Sequence, residues 1–430
     1  MLKNKRIVIT GIGPICSLGI GKKEVLKNLY NYKSNITNEA FYLNRELIGK
    51  YLLHKVRKYD LLNFVSNHQV INEINAWKKG EKVKDFDLLI IAIALAIQDS
   101  NISIDKEKIG MVLTHENPGL ENLLSKLISK TFRLHNLKSK LSFKNYFKKV
   151  YDFSERSAYE TQSFMMLHHA SKIFGIHNYS LLINNACASG LYSMEAASQI
   201  IQKGVNDTVI VAASDSPGIY KHLWLRNIKI HSSKGITLPF SSKSDGFLCG
   251  EGGHAIIMED YTHAKARNAN IYAEYLGGGF SLESWKVTLP AISENYLEKA
   301  IIAALKNAKV KSCDIDFINP HGLGSKVGDS YEAMAISNIF KDKKPYVTAF
   351  KPYVGHNLGG AALLETILTI LTMTKAVIPR LLNTECLIYE SELNYAKADT
   401  PIKKNNTALK ISYGFGGFDA AIVLRTIRGL

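Results

Sequence analysis

Residues 181–200 read LLINNACASGLYSMEAASQI, and this stretch places one cysteine between two kinds of secondary structure. Residues 181–183 form a short apolar run typical of a buried strand, and from Leu191 onward apolar residues recur at helical spacing. Small residues between the two elements leave the side chain of Cys187 uncovered. A packed core thiol is one interpretation. A nucleophile is the other, because the N-terminus of a helix favours a thiolate and should lower its pKa.

Composition describes an ordinary globular chain. Its 430 residues are 46% hydrophobic and 21% charged, enough for two or three domains or one duplicated unit. The five cysteines are scattered and form no CxxC pair, which argues against a disulfide framework and a zinc site. The longest apolar run, residues 88–97, is too short to span a bilayer, and the N-terminus lacks the apolar core of a signal peptide. We therefore expect a cytoplasmic protein with no metal and no membrane insertion.

The formal charge of +16 indicates acidic partners, although a lysine-rich composition also fits an AT-rich genome. No zinc-finger spacing, RNP-like aromatic motif or block of five basic residues occurs, so we expect no nucleic acid. Residues 121–150 hold eight Lys or Arg against one acidic residue, and their apolar spacing predicts an amphipathic surface helix. Its basic face is either solvated or a docking surface.

Strand-like and helix-like segments alternate along the chain, which indicates an α/β fold of layered sheets and helices. The alternation of strands and helices begins again after Tyr261. Segments 1–261 and 262–430 are therefore predicted to be two similar halves of one pseudo-duplicated unit. Strands are predicted at 6–10, 110–114, 180–184, 208–212, 254–259, 270–275, 316–319, 346–348, 408–413 and 420–425, and helices at 296–307, 330–340 and 359–375.

Three glycine-rich loops that follow predicted strands carry the other candidate residues. His321 lies in HGLGS (321–325), and Lys351 and His356 lie in KPYVGHNLGG (351–360). Phe415 lies in YGFGG (413–417). Taken singly, each histidine or lysine is more simply explained as a surface residue of a loop, and Phe415 as a core aromatic in a tight turn. Together they indicate a site, because ligands bind at strand ends in layered α/β proteins, and we expect them to meet Cys187 in one cleft.

The ordered set of motifs resembles the β-ketoacyl-acyl carrier protein synthases, elongating condensing enzymes of the thiolase-like superfamily with a Cys-His-His triad. The resemblance runs almost end to end and implies a thiolase-like fold, with two halves in an α-β-α-β-α arrangement containing mixed five-stranded sheets. The motifs are RIVITGIGPICSLG (6–19), NNACASG (184–190), SDGFLCGEGGHAIIME (244–259), HGLGSKVGDSYEA (321–333), KPYVGHNLGGAALLE (351–365) and YGFGGFDAAIVL (413–424).

The resemblance implies a role for each reactive residue. Cys187 takes an acyl chain from a phosphopantetheine thiol as a thioester. His321 and His356 hold the malonyl thioester carbonyl and promote loss of CO₂, while Lys351 keeps the histidines in their working protonation state. The backbone N–H groups of Cys187 and Phe415 form the oxyanion hole, and the Phe415 ring gates the acyl pocket. No tightly bound cofactor is expected beyond the arm that the carrier delivers.

The resemblance also implies supporting residues, and here the chain departs from the family pattern. Leu323 stands where the family usually has a Thr that binds the pantetheine arm. The segment HENPG (115–119) puts polar groups at the family's pocket wall, which we expect to suit a polar, aryl or short unsaturated chain. These departures indicate a polyketide-type or specialised fatty-acid enzyme. The implied substrate-binding residues are Ser325, Asn117, Gly416 and Gly417, and the implied structural supports are Asp329 and Glu332.

The expected partners follow from the chemistry that the resemblance implies. An acidic acyl carrier protein would be steered by the positive charge, with Lys126, Lys130 and Arg133 as candidate docking residues. The chain is expected to pair as a homodimer or with a chain-length-factor homologue. Two other functions stay open: an acyltransferase that acts without decarboxylation, and a chain-length-factor-like subunit, although such subunits lose the cysteine. A thiolase is disfavoured because YGFGGFD holds no second cysteine.

Overall fold

The computed structural model describes residues 5–43, 46–77, 83–103, 108–115, 145, 148 and 162–427. Within these ranges the chain builds one twelve-stranded sheet, a three-stranded sheet and a two-stranded ladder. The strands are β1 (Ile7–Cys16), β2 (Gly19–Ile20), β3 (Ile36–Leu43), β4 (Glu46–His54), β5 (Ile109–Thr114), β6 (Ser180–Ile183), β7 (Thr208–Asp215), β8 (Cys249–Gly250), β9 (Gly252–Asp260), β10 (Ala273–Leu282), β11 (Phe317–Asn319), β12 (Tyr346–Val347), β13 (Val377–Ile378), β14 (Asn394–Tyr395), β15 (Thr400–Pro401), β16 (Thr407–Gly414) and β17 (Phe418–Arg425).

The helices of the described ranges are α1 (Lys22–Tyr30), α2 (His68–Trp77), α3 (Lys84–Ser100), α4 (Ser163–Phe174), α5 (Ser189–Gln202), α6 (Ile219–Asn227), α7 (Tyr261–Ala266), α8 (Tyr296–Ala308), α9 (Lys326–Ile339), α10 (Lys351–Val354) and α11 (Ala361–Lys375). The local sequence explains where several of these helices begin or end. Asn101 and Gly175 adopt the left-handed conformation after α3 and α4. The Asp260 carboxylate accepts the first free N–H groups of α7.

The large sheet contains the same five-strand pattern twice. One unit has the order β1-β9-β7-β5-β6 and the other β10-β17-β16-β11-β12. In each unit the first two neighbouring pairs are antiparallel and the last two are parallel. The units join where β1 pairs with β10, with Ile7 opposite Tyr275. The predicted mixed five-stranded sheets are confirmed, and they are continuous through this junction. The domain boundary at 261/262 stays a prediction.

Alternate residues of each strand face different helices, which produces the layers. In β7, Ile210 belongs to the core with α3, whereas Val209 belongs to the central core with α5 and α11. In β17, Ile422 faces that central core, whereas Val423 faces α8 and α9. The order α3, sheet, α5 with α11, sheet, α8 with α9 is the predicted α-β-α-β-α arrangement.

The helix α11 is unusually apolar because both five-stranded units of the large sheet pack against it. By length and composition Leu358–Lys375 could cross a membrane, but 89% of that window is buried inside the fold. Its apolar character is therefore that of a core helix.

Several elements were not predicted from the sequence, among them the helices α1 to α4 and the hairpin β3–β4. The hairpin β3–β4 mixes polar and apolar residues, so its alternation is weak in the sequence. Its second strand runs parallel to β8, with Leu53 opposite Cys249. This long-range pairing stabilises the hairpin and places it beside the segment that carries the Cys249 side chain.

Candidate active site

Cys187 lies on the tight turn between β6 and α5, immediately before the N-cap residue Ala188. The turn places Ala186 at φ 50°, a left-handed conformation that is costly for a residue with a side chain. Ser189 holds the turn: its Oγ accepts from the Asn185 N–H at 2.7 Å and donates to the Ala186 carbonyl at 2.6 Å. The thiol at this turn is half-buried.

His356 reaches the cysteine from the segment between α10 and α11. Two hydrogen bonds hold the His356 backbone against the segment 248–250. The His356 N–H donates to Leu248 O (2.8 Å), and the His356 carbonyl accepts from Gly250 N–H (3.0 Å). Its Nε2 lies 3.2 Å from Cys187 Sγ. The Phe247 ring meets the imidazole edge-on at 4.8 Å. Burial, with the nearby lysines, lowers the pKa of His356 well below its usual value.

His321 follows β11, and its loop is held by a buried carboxylate. Glu332 accepts N–H bonds from His321 (2.6 Å) and Gly322 (2.8 Å). The His321 ring lies 5.4 Å from the His356 ring at 86°. Burial is the main cause that lowers the pKa of His321 well below its usual value, and the Lys351 charge adds to it. The two imidazoles are therefore neutral at physiological pH.

A second buried carboxylate fixes the rest of this loop. Asp329 accepts from Gly324 N–H at 3.1 Å and from Phe240 N–H at 2.7 Å. Burial raises the pKa of Asp329 to about 7 and that of Glu332 to about 7, opposed by these backbone hydrogen bonds. Both residues that the sequence proposed as structural supports thus contact the backbone of the His321 loop or its neighbours.

Lys351 lies beneath His321, fully buried. Its Nζ donates to the His321 carbonyl at 2.6 Å and to Glu365 Oε1 at 2.5 Å. It also lies 3.3 Å from His321 Nδ1. An ammonium group can only donate, so Nδ1 accepts and the proton of the neutral ring is on Nε2. That nitrogen is then a donor.

Lys410 is a further charged residue of the site that was not predicted from the sequence. Its ammonium is fully buried on β16 and donates to Glu365 Oε2 (2.5 Å), Ile411 O (2.7 Å) and Pro320 O (3.2 Å). Burial lowers the pKa of Lys410 to about 8. Two lysines thus share the single carboxylate of Glu365. A lysine flanked by apolar residues in the predicted strand 408–413 was the available signal; Glu365 offered none beyond its place in an apolar helix.

The Phe415 loop approaches the nucleophile through its backbone. A Cβ on Gly414 would lie 2.8 Å from Cys187 N, so only glycine permits this contact. Ser412 Oγ donates to the Cys187 carbonyl at 3.1 Å. The Phe415 ring meets Trp224 edge-on at 5.6 Å. Cys187, Gly414 and Phe415 therefore adjoin one another.

These groups line one cavity of about 400 Å³. Cys187, His321, His356 and Phe415 contribute to its wall, and most of the remaining described wall is apolar. The other apolar lining residues include Trp224, Leu225, Ile228, Phe247, Val287 and Leu289. Such a pocket suits an apolar chain whose reactive end lies at the cysteine.

The remaining predicted residues divide into three groups. Ser325 and Gly417 line the cavity, and Ser325 also caps α9 by accepting from Gly328 N–H. Gly416 lies beside the cavity, because its N–H donates to the carbonyl of the lining residue Val287 at 2.8 Å. Asn117, Lys126, Lys130 and Arg133 lie outside the described residues.

His115, expected near the pocket wall, lies elsewhere. It is buried beside α3, with Nε2 3.3 Å from Asp85 Oδ2, and is not among the described residues that line the cavity. Its side chain faces α3 because β5 ends beside that helix. The hypothesis of a polar wall therefore depends on Glu116 and Asn117, which lie outside the described part of the chain.

Comparison with known proteins agrees with this geometry. The family model for the β-ketoacyl synthase N-terminal domain matches residues 128–264, and that for the C-terminal domain matches residues 272–385, together more than half of the chain. The chain belongs to the β-ketoacyl synthase family. The resemblance read from the sequence is confirmed, and this β-ketoacyl synthase is an acyltransferase of fatty-acid or polyketide synthesis.

Two relatives illustrate how similar known proteins are to this chain in identity and in coverage. A putative mitochondrial 3-oxoacyl-[acyl-carrier-protein] synthase of Schizosaccharomyces pombe is 29% identical over 98% of this chain and 99% of its own length. The 3-oxoacyl-[acyl-carrier-protein] synthase 2 of Mycobacterium tuberculosis is 33% identical over 55% of this chain and 59% of its own.

Solved structures share the fold of this β-ketoacyl synthase. The ishigamide ketosynthase/chain length factor superposes with a TM-score of 0.85 at 21% identity, covering 99% of this chain and 100% of that one. A type II PKS ketosynthase in complex with its acyl-carrier protein has a TM-score of 0.79 at 23% identity, with the same coverage. The predicted fold class is confirmed.

Proposed function

We propose that this enzyme loads an acyl chain on Cys187 and condenses it with a malonyl thioester, releasing CO₂ and a 3-oxoacyl thioester. The observation that carries the proposal is the 3.2 Å contact of Cys187 Sγ with His356 Nε2, with a second neutral imidazole, His321, at right angles in the same cavity. One thiol and two imidazoles are the groups that acyl transfer and decarboxylation need.

In the loading step, the Cys187 thiolate attacks the thioester carbonyl of the incoming chain. The bond from that carbonyl to the phosphopantetheine sulfur breaks, and the departing thiolate takes a proton from solvent, so His356 keeps the proton on its Nε2. The backbone N–H groups of Cys187 and Phe415 stabilise the tetrahedral oxyanion. Each such donor contributes about 2.7–4 kcal/mol in enzymes where one has been removed.

In the condensation step, the malonyl carboxylate leaves as CO₂ and its electron pair forms an enolate. His321 Nε2–H, set by Lys351 at Nδ1, donates to the enolate oxygen together with His356. The enolate carbon attacks the acyl carbonyl on Cys187, and the thiolate is expelled. Lys351 acts through His321 and is a positioning residue.

The carrier of both substrates is an acyl carrier protein with a phosphopantetheine arm. The names of the two relatives and the complex of a related fold with its acyl-carrier protein support this assignment. The +16 charge and the lysines at the cavity, Lys229 and Lys286, favour an acidic protein. The Lys126, Lys130 and Arg133 docking surface stays a prediction, as does the cytoplasmic location.

The chain pairs with a second subunit, either a copy of itself or a chain-length-factor homologue. The support is β6, which is the last strand of the large sheet among the described residues and is half-exposed throughout, so its outer edge is available to pair. A neighbour of the same fold is a ketosynthase with a chain length factor.

Intact-mass spectrometry tests the proposed reaction. The wild type is incubated with a panel of acyl-carrier proteins, alone and with malonyl-carrier protein, beside Cys187→Ala and His321→Ala. We expect an acyl adduct in wild type and His321→Ala, none in Cys187→Ala, and a 3-oxoacyl product in wild type alone. Loading without CO₂ release by the wild type would overturn the condensation and favour the acyltransferase alternative.

A further inference from the structure

A second cluster of reactive side chains lies behind one wall of the cavity. Among the described residues, His222, His231 and Cys249 each offer one ligand atom, and these atoms all lie within 4.8 Å of one another. His222 is on α6, His231 follows that helix, and Cys249 begins β8. No metal was expected from the sequence because its cysteines are scattered and form no CxxC pair.

Ring packing holds the two imidazoles together. The His222 and His231 rings meet at 5.5 Å and 67°. The Tyr51 ring stacks on His222 at 5.0 Å and 23°, and meets His231 edge-on at 6.4 Å. Tyr51 belongs to β4, the strand that pairs with β8, so the hairpin missed from the sequence forms one side of the cluster.

Backbone hydrogen bonds fix the His231 segment against the strand segment that leads to Cys249. Phe247 N–H donates to Ile230 O at 3.1 Å, and Ser232 N–H donates to Phe247 O at 2.9 Å. His222 and Cys249 are fully buried, whereas His231 is half-buried and connects the cluster to the surface. The three ligands therefore come from a rigid frame with one open side.

We propose that His222, His231 and Cys249 bind a zinc ion through two imidazole nitrogens and one thiolate. Zinc accepts this ligand set at about 2.0–2.1 Å for nitrogen and 2.3 Å for sulfur, with a fourth position left to water. For all three ligand atoms to bind one zinc ion, they must move closer to one another by about 1 Å. Rotation of the side chains can provide this movement. Oxygen-preferring cations such as Mg²⁺ and Ca²⁺ do not suit two nitrogens and a sulfur.

The protonation states fit this ligand set. Burial lowers the pKa of His222 to about 3 and lowers that of His231, so both rings are in the uncharged form that binds zinc. Burial raises the pKa of the Cys249 thiol. Zinc binding by the thiol displaces one proton, which passes to solvent.

The ion would join the parts of the chain that shape the cavity. Between His222 and His231, α6 carries Trp224 and Leu225 on the cavity wall. Cys249 forms a backbone bridge with His356. Zinc would fasten α6 to β8 without contacting the acyl chain, so the site is independent of the proposed reaction.

Titration of the full chain with Co²⁺ and Zn²⁺ tests the site. The Cys187→Ala variant serves as the background, because Cys187 and His356 could otherwise bind the same ions. We expect one equivalent of Co²⁺ with a thiolate charge-transfer band, displaced by Zn²⁺, and a higher Tm with Zn²⁺. Adding Cys249→Ser should remove the band and weaken Zn²⁺ binding by more than about 100-fold, beyond the 10–100-fold cost of an outer-shell partner.

Matched variants separate the site from other thiols. Adding Cys386→Ser, an exposed cysteine, should leave the band and the affinity unchanged. His231→Gln, at a half-buried position, should weaken Zn²⁺ binding if Cys249→Ser fails to fold. No bound ion, or a band and affinity that survive both ligand variants, would overturn the zinc site whatever the enzyme's activity.

Discussion

Two buried clusters flank the catalytic cavity, and they manage polar groups in opposite ways. On one side Lys351, Glu365 and Lys410 form a charged cluster, in which one carboxylate accepts from both ammonium groups. On the other side His222, His231 and Cys249 have pKa values displaced toward their neutral forms. The charged cluster carries its own counterion, whereas the other cluster consists of groups that are uncharged at neutral pH.

This difference has a physical cause. A buried ammonium needs a carboxylate and carbonyl oxygens, and Lys410 has both, whereas imidazole and thiol groups can shed their charge at little cost. The excess positive charge of the first cluster helps to keep His321 neutral. The second cluster can accept positive charge, which is why a cation suits it.

The largest expected effect comes from breaking the charged cluster. Glu365→Ala leaves two buried ammonium groups without their carboxylate and should cost about 3–5 kcal/mol in the free energy of unfolding. Urea denaturation measures this cost. The control is Glu390→Ala, which removes the exposed partner of Lys397 and should cost less than about 1 kcal/mol. Equal costs for the two variants would contradict the contrast between buried and exposed pairs.

Lys410→Met tests how the cluster depends on pH. The pKa of Lys410 falls from 10.5 unfolded to about 8 folded, so between these values the unfolded chain binds more protons and stability rises with pH. We expect Lys410→Met to lack this rise, as measured by urea denaturation at pH 7 to 10.5. The exposed Lys306→Met should keep it.

The same variant should also act on catalysis. Removing the Lys410 charge raises the pKa of His321, so the acid limb of the condensation rate should move to higher pH. An unchanged acid limb would show that Lys410 has no electrostatic role at His321.

A smaller effect is expected in the neutral cluster without metal. Cys249→Ala removes a small buried thiol that needs no counterion and should cost about 1 kcal/mol in the free energy of unfolding. The same urea assay, with chelator present, measures it. A cost as large as that of Glu365→Ala would mean that Cys249 is ionised in the fold.

The smallest effect is expected from an exposed charge. Lys286→Glu, at the cavity mouth, should slow acyl loading from the carrier by about 2–5-fold at low salt, with less effect as salt rises. Stopped-flow or quenched-flow loading rates measure it, and stability should not change. Lys265→Glu on α7 is the control, and an equal slowing by it would rule out a local docking effect.

Most of the fold could be predicted from the sequence because its strands are continuous apolar runs. The run that became β7 and the apolar spacing that became α11 are visible without a structure. The hairpin β3–β4 could not be predicted, since its stability depends on pairing with a two-residue strand almost two hundred positions away. His115 was expected at the pocket wall but lies beside α3. Its position at the end of a predicted strand does not decide which way its side chain faces.

By itself the sequence indicated the family, through the motifs that resemble it, and the layered fold. It also singled out the four candidate positions Cys187, His321, Lys351 and His356, because glycine-rich turns after apolar strands are local patterns. Only the tertiary structure decided which groups share a proton or a charge. Glu365 and Lys410 lie 45 positions apart, and Tyr51 is far along the chain from the histidines that its ring contacts. Such contacts depend on burial and distance. These are set by the packing of the two five-stranded units around α5 and α11, and no local pattern encodes them.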